Sequence, residues 1–252
     1  MDLLDALRST GAAREFEDEP VPDEVVYRLI DTARFAANGG NRQAWRVVVL
    51  RDPKLRRRVR DCYLPGWYEY LAQVAVGLCP WAPVTDEEAE RAALAQAPEV
   101  ATRAAAGGGG FAEHLEDVPV LLVLLADLRK LAAVDRDFDR YTLVGGASIY
   151  PFAWSLLLAA RAEGLGGVMT TMATRREPEI LELLGAPAHM AVAAVIALGR
   201  PSHQPTRLRR APVGEFTTVD SFDGPALAEG AGPGSSGTPP GSATGQGAGR
   251  ED

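Results

Sequence analysis

Arg8, Ser9, Thr10 and Arg14 place two guanidinium groups and two hydroxyls on one short stretch near the start of the chain. Such a set could clamp a phosphate monoester, because arginine forks match phosphate oxygens and hydroxyls add donors. The same residues would also make a solvated basic edge. Arg207, Arg209 and Arg210 could converge with them only if the fold brings the two ends together; taken alone they read as surface charge. The loop Asn38-Gly39-Gly40-Asn41-Arg42-Gln43 sets three amides beside an apolar run, a supply of donors and acceptors suited to the edge of a heteroaromatic ring. It equally reads as an Asn-Gly turn capping a helix. Met169, Thr170 and Thr171 follow a glycine-rich helix end, where backbone amides and hydroxyls could meet the same ring or form an ordinary strand edge.

Other chemistries find no support. His114, His189 and His203 show no metal-ligand spacing, and Cys62 and Cys79 form no CxxC pair, so neither a metal site nor a disulfide framework is expected. Ser148 in GGASIY lacks the closing glycine of a nucleophile elbow, and no GxxxxGK[ST] or strand-borne GxGxxG occurs. The carboxylates Glu87, Glu88 and Glu90, like Asp135, Asp137 and Asp139, read as solvated faces. Trp67, Tyr68 and Tyr70 read as a helix packing on its neighbours rather than as a pocket wall. No catalytic side chain stands out. The net charge of -8 disfavours nucleic acid and anionic membranes, and no segment approaches the roughly 20 apolar residues of a bilayer span. A soluble, cytoplasmic protein is expected.

The elements that must position these residues follow from periodicity. Leu3, Leu4 and Leu7 begin a short helix, and Val25, Val26, Leu29, Ile30 and Ala33 recur at helical spacing after Pro22, predicting a helix over 22–36. Trp45 to Leu50 predicts a strand ending at Arg51-Asp52-Pro53. Residues 54 to 106 are irregularly helical, and Gly107 to Gly110 interrupt them, suggesting a mobile loop or lid over a site. Val118 to Ala126 reads as a central strand covered on both faces. Gly146 to Arg161 reads as a helix apolar all round, buried in the core or at a subunit interface. Val168 to Thr171 suggests a short strand, Glu177 to Leu184 a helix and Met190 to Leu198 a last core strand. The fold class is α+β, a sheet packed by helices. The Gly, Pro, Ser and Ala composition after Phe222 predicts one domain over 1–222 and a disordered tail over 223–252.

Taken in order, LRSTGAAREF (7–16), PVPDEV (20–25), ARFAANGGNRQAWRVVVL (33–50), GLGGVMTT (164–171) and RRAPVGEF (209–216) resemble the nitroreductase family. The resemblance covers most of residues 1–220. It implies a mainly antiparallel sheet packed by helices, an intertwined homodimer with FMN at the interface, and NADH or NADPH as electron donor. It further implies that Arg8, Ser9, Thr10 and Arg14 hold the FMN phosphate together with Arg210. Asn41 and Gln43, with Met169, Thr170 and Thr171, would approach the isoalloxazine ring. The family's usual Pro-Ser is replaced by Ala37-Asn38, so Asn38 would alter ring contacts. Arg-Arg-Ser usually stands closer to the Phe than Arg8-Ser9-Thr10 stands to Phe16. The implied activity passes electrons from NAD(P)H through flavin to a small acceptor of nitroaromatic, quinone or enone type. The rivals are a flavin-binding or storage protein without turnover, and a relative with a specialised substrate or a deazaflavin.

Overall fold

The computed structural model describes residues 1–227, so the expected tail from residue 228 onward lies outside the described residues. The chain divides into two units, Met1–Leu208 and a second beginning at Arg209.

The first unit is built on four strands, β1 (Trp45–Leu50), β2 (Val120–Asp127), β3 (Gly166–Thr170) and β4 (Met190–Gly199), in the order β1-β2-β4-β3 with every neighbour antiparallel. β2 is buried along its whole length, and its side chains alternate between two cores as the period of a strand requires. Val120, Leu122, Leu124 and Ala126 meet α2 (Asp23–Ala33) and α6 (Tyr150–Ala162) through Leu29, Phe152 and Leu156. Leu121, Val123 and Leu125 meet α3 (Pro53–Ala75) and α7 (Glu177–Leu183) through Val59, Tyr63 and Ile180. Truncating a fully buried side chain such as Leu122 or Phe152 to alanine costs about 2–5 kcal/mol, since lost transfer energy and a residual cavity add.

Helix ends follow local chemistry. Asp2 caps α1 (Leu3–Ser9) by accepting from Leu4 N at 3.1 Å, and Asp52 caps α3 by accepting from Lys54 N at 2.7 Å. The irregular stretch resolves into α3, α4 (Glu87–Leu94) and α5 (Ala97–Ala106). α5 closes on Gly108 and Gly109, both at positive φ, with Gly110 N donating to Glu113.

The 146–161 segment departs from expectation only at its start, a 3₁₀ turn over Val144–Ser148; on α6 proper Tyr150 and Trp154 are 41% and 38% exposed within one chain. Asp135 departs too: it is buried, not solvated, while Asp137 and Asp139 are exposed.

One further contact fixes the site. Residues 8–17 run along the free edge of β3: Ala12 bridges Gly167, and Ala13 N donates to Gly167 O at 2.9 Å. Beyond that, Glu17 N donates to Arg200 O, Ser202 N to Glu15 O and Leu208 N to Arg8 O. Gly166 permits this, since a Cβ there would lie 3.0 Å from the Ala13 side chain and 3.0 Å from the Pro201 ring.

The second unit contains a 3₁₀ turn over Val213–Glu215 and a bridge between Thr218 and Ala226. Among the described residues no helix is long and apolar enough to cross a membrane.

Candidate functional site

The N-terminal polar set separates into committed and free groups. Ser9 and Thr10, each 6% exposed, donate their hydroxyl protons to the carbonyls of Asp5 and Ala6, both at 2.7 Å. Ser9 Oγ then accepts from Arg161 Nη2 at 3.1 Å, and that nitrogen also reaches Pro205 O at 3.3 Å. Neither hydroxyl has a proton left for a phosphate. Arg8 and Arg14 are exposed and make no ion pair among the described residues. Arg161 was not marked by the sequence pattern; its only signal was a cation in the last turn of an otherwise apolar helix.

In the 38–43 loop one amide builds the backbone and two are left over. Asn38 Nδ2 donates to Ala36 O at 3.2 Å, and its Oδ1 accepts from Gln43 N at 2.9 Å. Gly39 N donates to Ser148 Oγ at 3.1 Å, tying the loop to the turn before α6. The backbone is held in the left-handed region at Gly40, Asn41 and Gln43, with φ of 60°, 51° and 49°. Left-handed non-glycine residues carry local strain that the surroundings must over-determine. The side chains of Asn41, Arg42 and Gln43 are exposed, with Gln43 Nε2 donating to Asn41 Oδ1 at 3.3 Å. Asp127 N, at the end of β2, donates to Ala44 O at 2.7 Å. The Arg129 guanidinium grips the Asp127 carboxylate at 3.0 and 2.9 Å and holds its pKa at about 2.

Met169, Thr170 and Thr171 are half-buried at the end of β3. Thr170 Oγ1 donates to the Tyr63 hydroxyl at 3.3 Å. Burial pushes the Tyr63 phenol above its ordinary value, against the opposing Thr170 bond and Arg14 charge, so it is neutral at physiological pH. Trp67 stacks between Tyr63 and Tyr70, at centroid distances of 6.3 and 5.5 Å. Tyr70 then enters the wall of a cavity of about 680 Å³ that opens at Thr171 and is also lined by Trp81, Arg91, Tyr141 and Arg175. Trp67 packs as the helical spacing predicts, whereas Tyr70 also faces this cavity. Gly66 lets the Met172–Arg176 turn approach α3, because a Cβ there would stand 2.5 Å from Met172 O. Asp135 accepts from Leu143 N at 2.9 Å and from Arg140 Nη1 at 2.8 Å, and these bonds, the backbone one foremost, keep its carboxyl below the usual range. It thereby shapes the loop that carries Tyr141.

The expected site residues therefore fall into two groups within a chain. The 8–14 segment and Met169–Thr171 share the β3 edge of the sheet, while the 38–43 loop precedes β1 at the opposite edge. Three interstrand steps of about 4.8 Å separate those edges by roughly 14 Å. Arg210 belongs to the second unit, where its Nη1 donates to the Arg209 carbonyl at 2.7 Å. A wider groove of about 970 Å³ passes Arg14, Phe16, Arg56, Phe111 and His114. Among the described residues no group of three or more His, Cys, Asp or Glu side chains is placed to hold a metal ion.

The family model described as the nitroreductase family matches residues 7–200. The NADH dehydrogenase of Thermus thermophilus is 27% identical over 213 residues, covering 84% of this chain and 93% of the relative. Among solved structures, a BluB-like flavoprotein from Clostridium difficile 630 superposes with a TM-score of 0.61 at 20% identity, covering 88% of this chain and all of the other. The NADPH:FMN oxidoreductase of Vibrio harveyi, complexed with NAD+, does so at 0.58 and 20%, covering 87% and 77%. These structural likenesses show a nitroreductase-like α+β fold.

Proposed function

The chain belongs to the nitroreductase family, and from that premise we propose an FMN-dependent oxidoreductase that carries electrons from NADH or NADPH to a small organic acceptor and works as a homodimer. The observation that carries this reading is the stitching of residues 8–17 onto the edge of β3, which puts the unpaired Arg8 and Arg14 on the same edge as Met169–Thr171 and the cavity at Thr171. The relatives named for NADH dehydrogenase and NADPH:FMN oxidoreductase activity support the donor and the cofactor.

The residues present fit FMN with two revisions, the first being that Asn38 spends its amide on the loop backbone instead of the ring. Arg8 and Arg14 are free to hold a phosphate by charge-assisted hydrogen bonds. Ser9 and Thr10 act through the helix they cap, because their protons are already committed to it. Asn41 and Gln43 offer exposed amides on a strained, bolted loop, the arrangement expected of groups that must meet a ring without reorganising. Met169, Thr170 and Thr171 approach the ring from β3, with Tyr63 fixing the Thr170 hydroxyl. When bound, the flavin supplies the hydride and electron chemistry, so no protein nucleophile is needed. The domain that does this is taken as residues 1–222.

The separation of the two groups across the sheet supports the dimer, since a second copy of the chain can bring its 38–43 loop to the β3 edge of the first. Mixing subunits checks this. An Arg14→Ala chain and a Gln43→Ala chain, each impaired alone, regain activity when co-refolded, because a mixed dimer contains one site with both residues intact. No recovery would contradict a site shared between chains. Steady-state double-reciprocal plots for donor and acceptor run parallel if the two occupy one site in turn, and intersecting lines would contradict that cycle.

A further inference from the structure

The side chain of Ser148, in the GGASIY motif, reaches out of its own turn to the 38–43 loop. Its Oγ accepts the Gly39 N–H at 3.1 Å across 109 residues of sequence. The fit is close, since a Cβ on Gly39 would stand 3.2 Å from that Oγ. Among the described residues Ser148 is the only side chain from outside the loop that hydrogen-bonds to it. The loop needs such a fastener. Its end is held where Ala44 O accepts from Asp127 N, but Gly39 to Gln43 are exposed, and Gly40, Asn41 and Gln43 keep left-handed φ. Non-glycine residues stay in that region only where their surroundings over-determine it.

The turn that carries Ser148 is itself fixed. At its entry Asp135, 1% exposed, accepts from Leu143 N at 2.9 Å and from Val144 N at 3.4 Å. Within it Gly146 N donates to Leu143 O at 3.2 Å and Ile149 N to Gly146 O at 3.0 Å. At its exit Ile149 and Phe152 are buried in the core that α6 shares with α2 and β2. A Cβ on Gly145 would stand 3.6 Å from Ala133 Cβ, and one on Gly39 would stand 3.9 Å from Ala132 Cβ, so the same stretch of chain lies against both the turn and the loop. Ser148 thus joins an exposed, strained loop to a turn anchored in the core.

Resting on the oxidoreductase reading above, we propose that Ser148 is a positioning residue for the flavin: through Gly39 it fixes the frame from which the Asn41 and Gln43 amides meet the ring. Amide donors stabilise the negative charge of a reduced flavin, and a donor held in place beforehand does so without a cost of reorganisation. Ser148 therefore favours the reduced flavin by acting on the loop.

The test uses the full chain and two variants that break the one contact from its two sides: Ser148→Ala removes the acceptor, and Gly39→Ala crowds it. In the flavin-free protein, 15N relaxation reads the loop. Wild-type amides 39–43 are expected at order parameters of about 0.85, and those of either variant below that value, with the strand amides unchanged. In the FMN-loaded protein, equilibration against a reference dye reads the ratio of reduced to oxidised flavin. Ser148→Ala is expected to lower it about three- to tenfold, the worth of one hydrogen bond. Adding Gly39→Ala to Ser148→Ala should lower it no further, and Ser148→Ala should lower it little in an Asn41→Ala/Gln43→Ala chain, because the effect passes through those amides. Unchanged order parameters, an unchanged ratio, or falls that simply add overturn the proposal. FMN that does not stay bound contradicts the oxidoreductase reading instead, and the flavin-free order parameters still decide whether Ser148 holds the loop.

Discussion

In the 8–14 segment both hydroxyls are turned back onto the carbonyls of their own helix and both guanidiniums are left free, whereas in the 38–43 loop Asn38 is turned inward while Asn41 and Gln43 are left exposed. The two segments lie at opposite edges of one sheet and solve the same problem differently. The first anchors itself with hydroxyls and with Arg161, so that long cations remain available. The second anchors itself with one amide and a left-handed backbone, so that short amides point outward from a fixed frame. The residue types that a sequence motif highlights are thus partly the ligand groups and partly the fasteners that hold them.

The comparison breaks if fasteners and free groups turn out to be interchangeable. The largest effect is expected for the Arg8→Ala/Arg14→Ala double variant. Each lost charge-assisted hydrogen bond is worth about 1.5–3 kcal/mol, so FMN affinity measured by flavin fluorescence falls by about 100-fold or more. Thr10→Val should change FMN affinity by less than about threefold, and a loss matching the double variant would erase the distinction. Next comes Asn38→Ala, which gives the exposed Gln43 N–H back to water and loosens the loop. It should lower unfolding stability by about 0.5–1.5 kcal/mol in a denaturant titration and weaken FMN binding with it. Asn41→Ala should weaken FMN binding with a smaller stability change. Arg161→Ala should then cost about 1 kcal/mol of stability while leaving FMN affinity unchanged within about twofold, because that side chain faces Ser9 and Pro205 rather than the phosphate.

The smallest effect concerns acid. Asp127 sits beside the 38–43 loop with its carboxyl at about 2 against an ordinary 3.8. A carboxylate depressed in the folded state contributes in full above its ordinary value and loses that contribution as pH falls through the folded one. The wild-type melting temperature should therefore fall more steeply than that of Asp127→Asn between about pH 4 and about pH 2. Parallel curves for the two proteins would show that the Asp127–Arg129 pair adds nothing to stability.

Much of the fold was legible because its strands declare themselves. The run from Val118 to Ala126 is apolar without a break, and only a strand covered on both faces has that need, as β2 does. Met190 to Leu198 and Trp45 to Leu50 were readable for the same reason. The α6 start was misread because periodicity does not distinguish a 3₁₀ turn at Gly145-Gly146 from a helix. Asp135 was misread because two of its three partners, beside Arg140, are the backbone N–H groups of Leu143 and Val144, which carry no residue signature. The candidate site was legible as a set of segments in order, but not as a division of labour. Nothing in the letters Ser9-Thr10 says that their protons close a helix.

The most direct measurement is the absorbance spectrum of the protein mixed with FMN, desalted, and then treated anaerobically with NADH and with NADPH. The account predicts flavin retained through desalting, at close to one per chain, and bleached by at least one of the two donors. Flavin that is retained but stays oxidised with both would contradict an NAD(P)H-dependent oxidoreductase, and flavin lost on desalting would contradict the assignment of Arg8 and Arg14 to its phosphate.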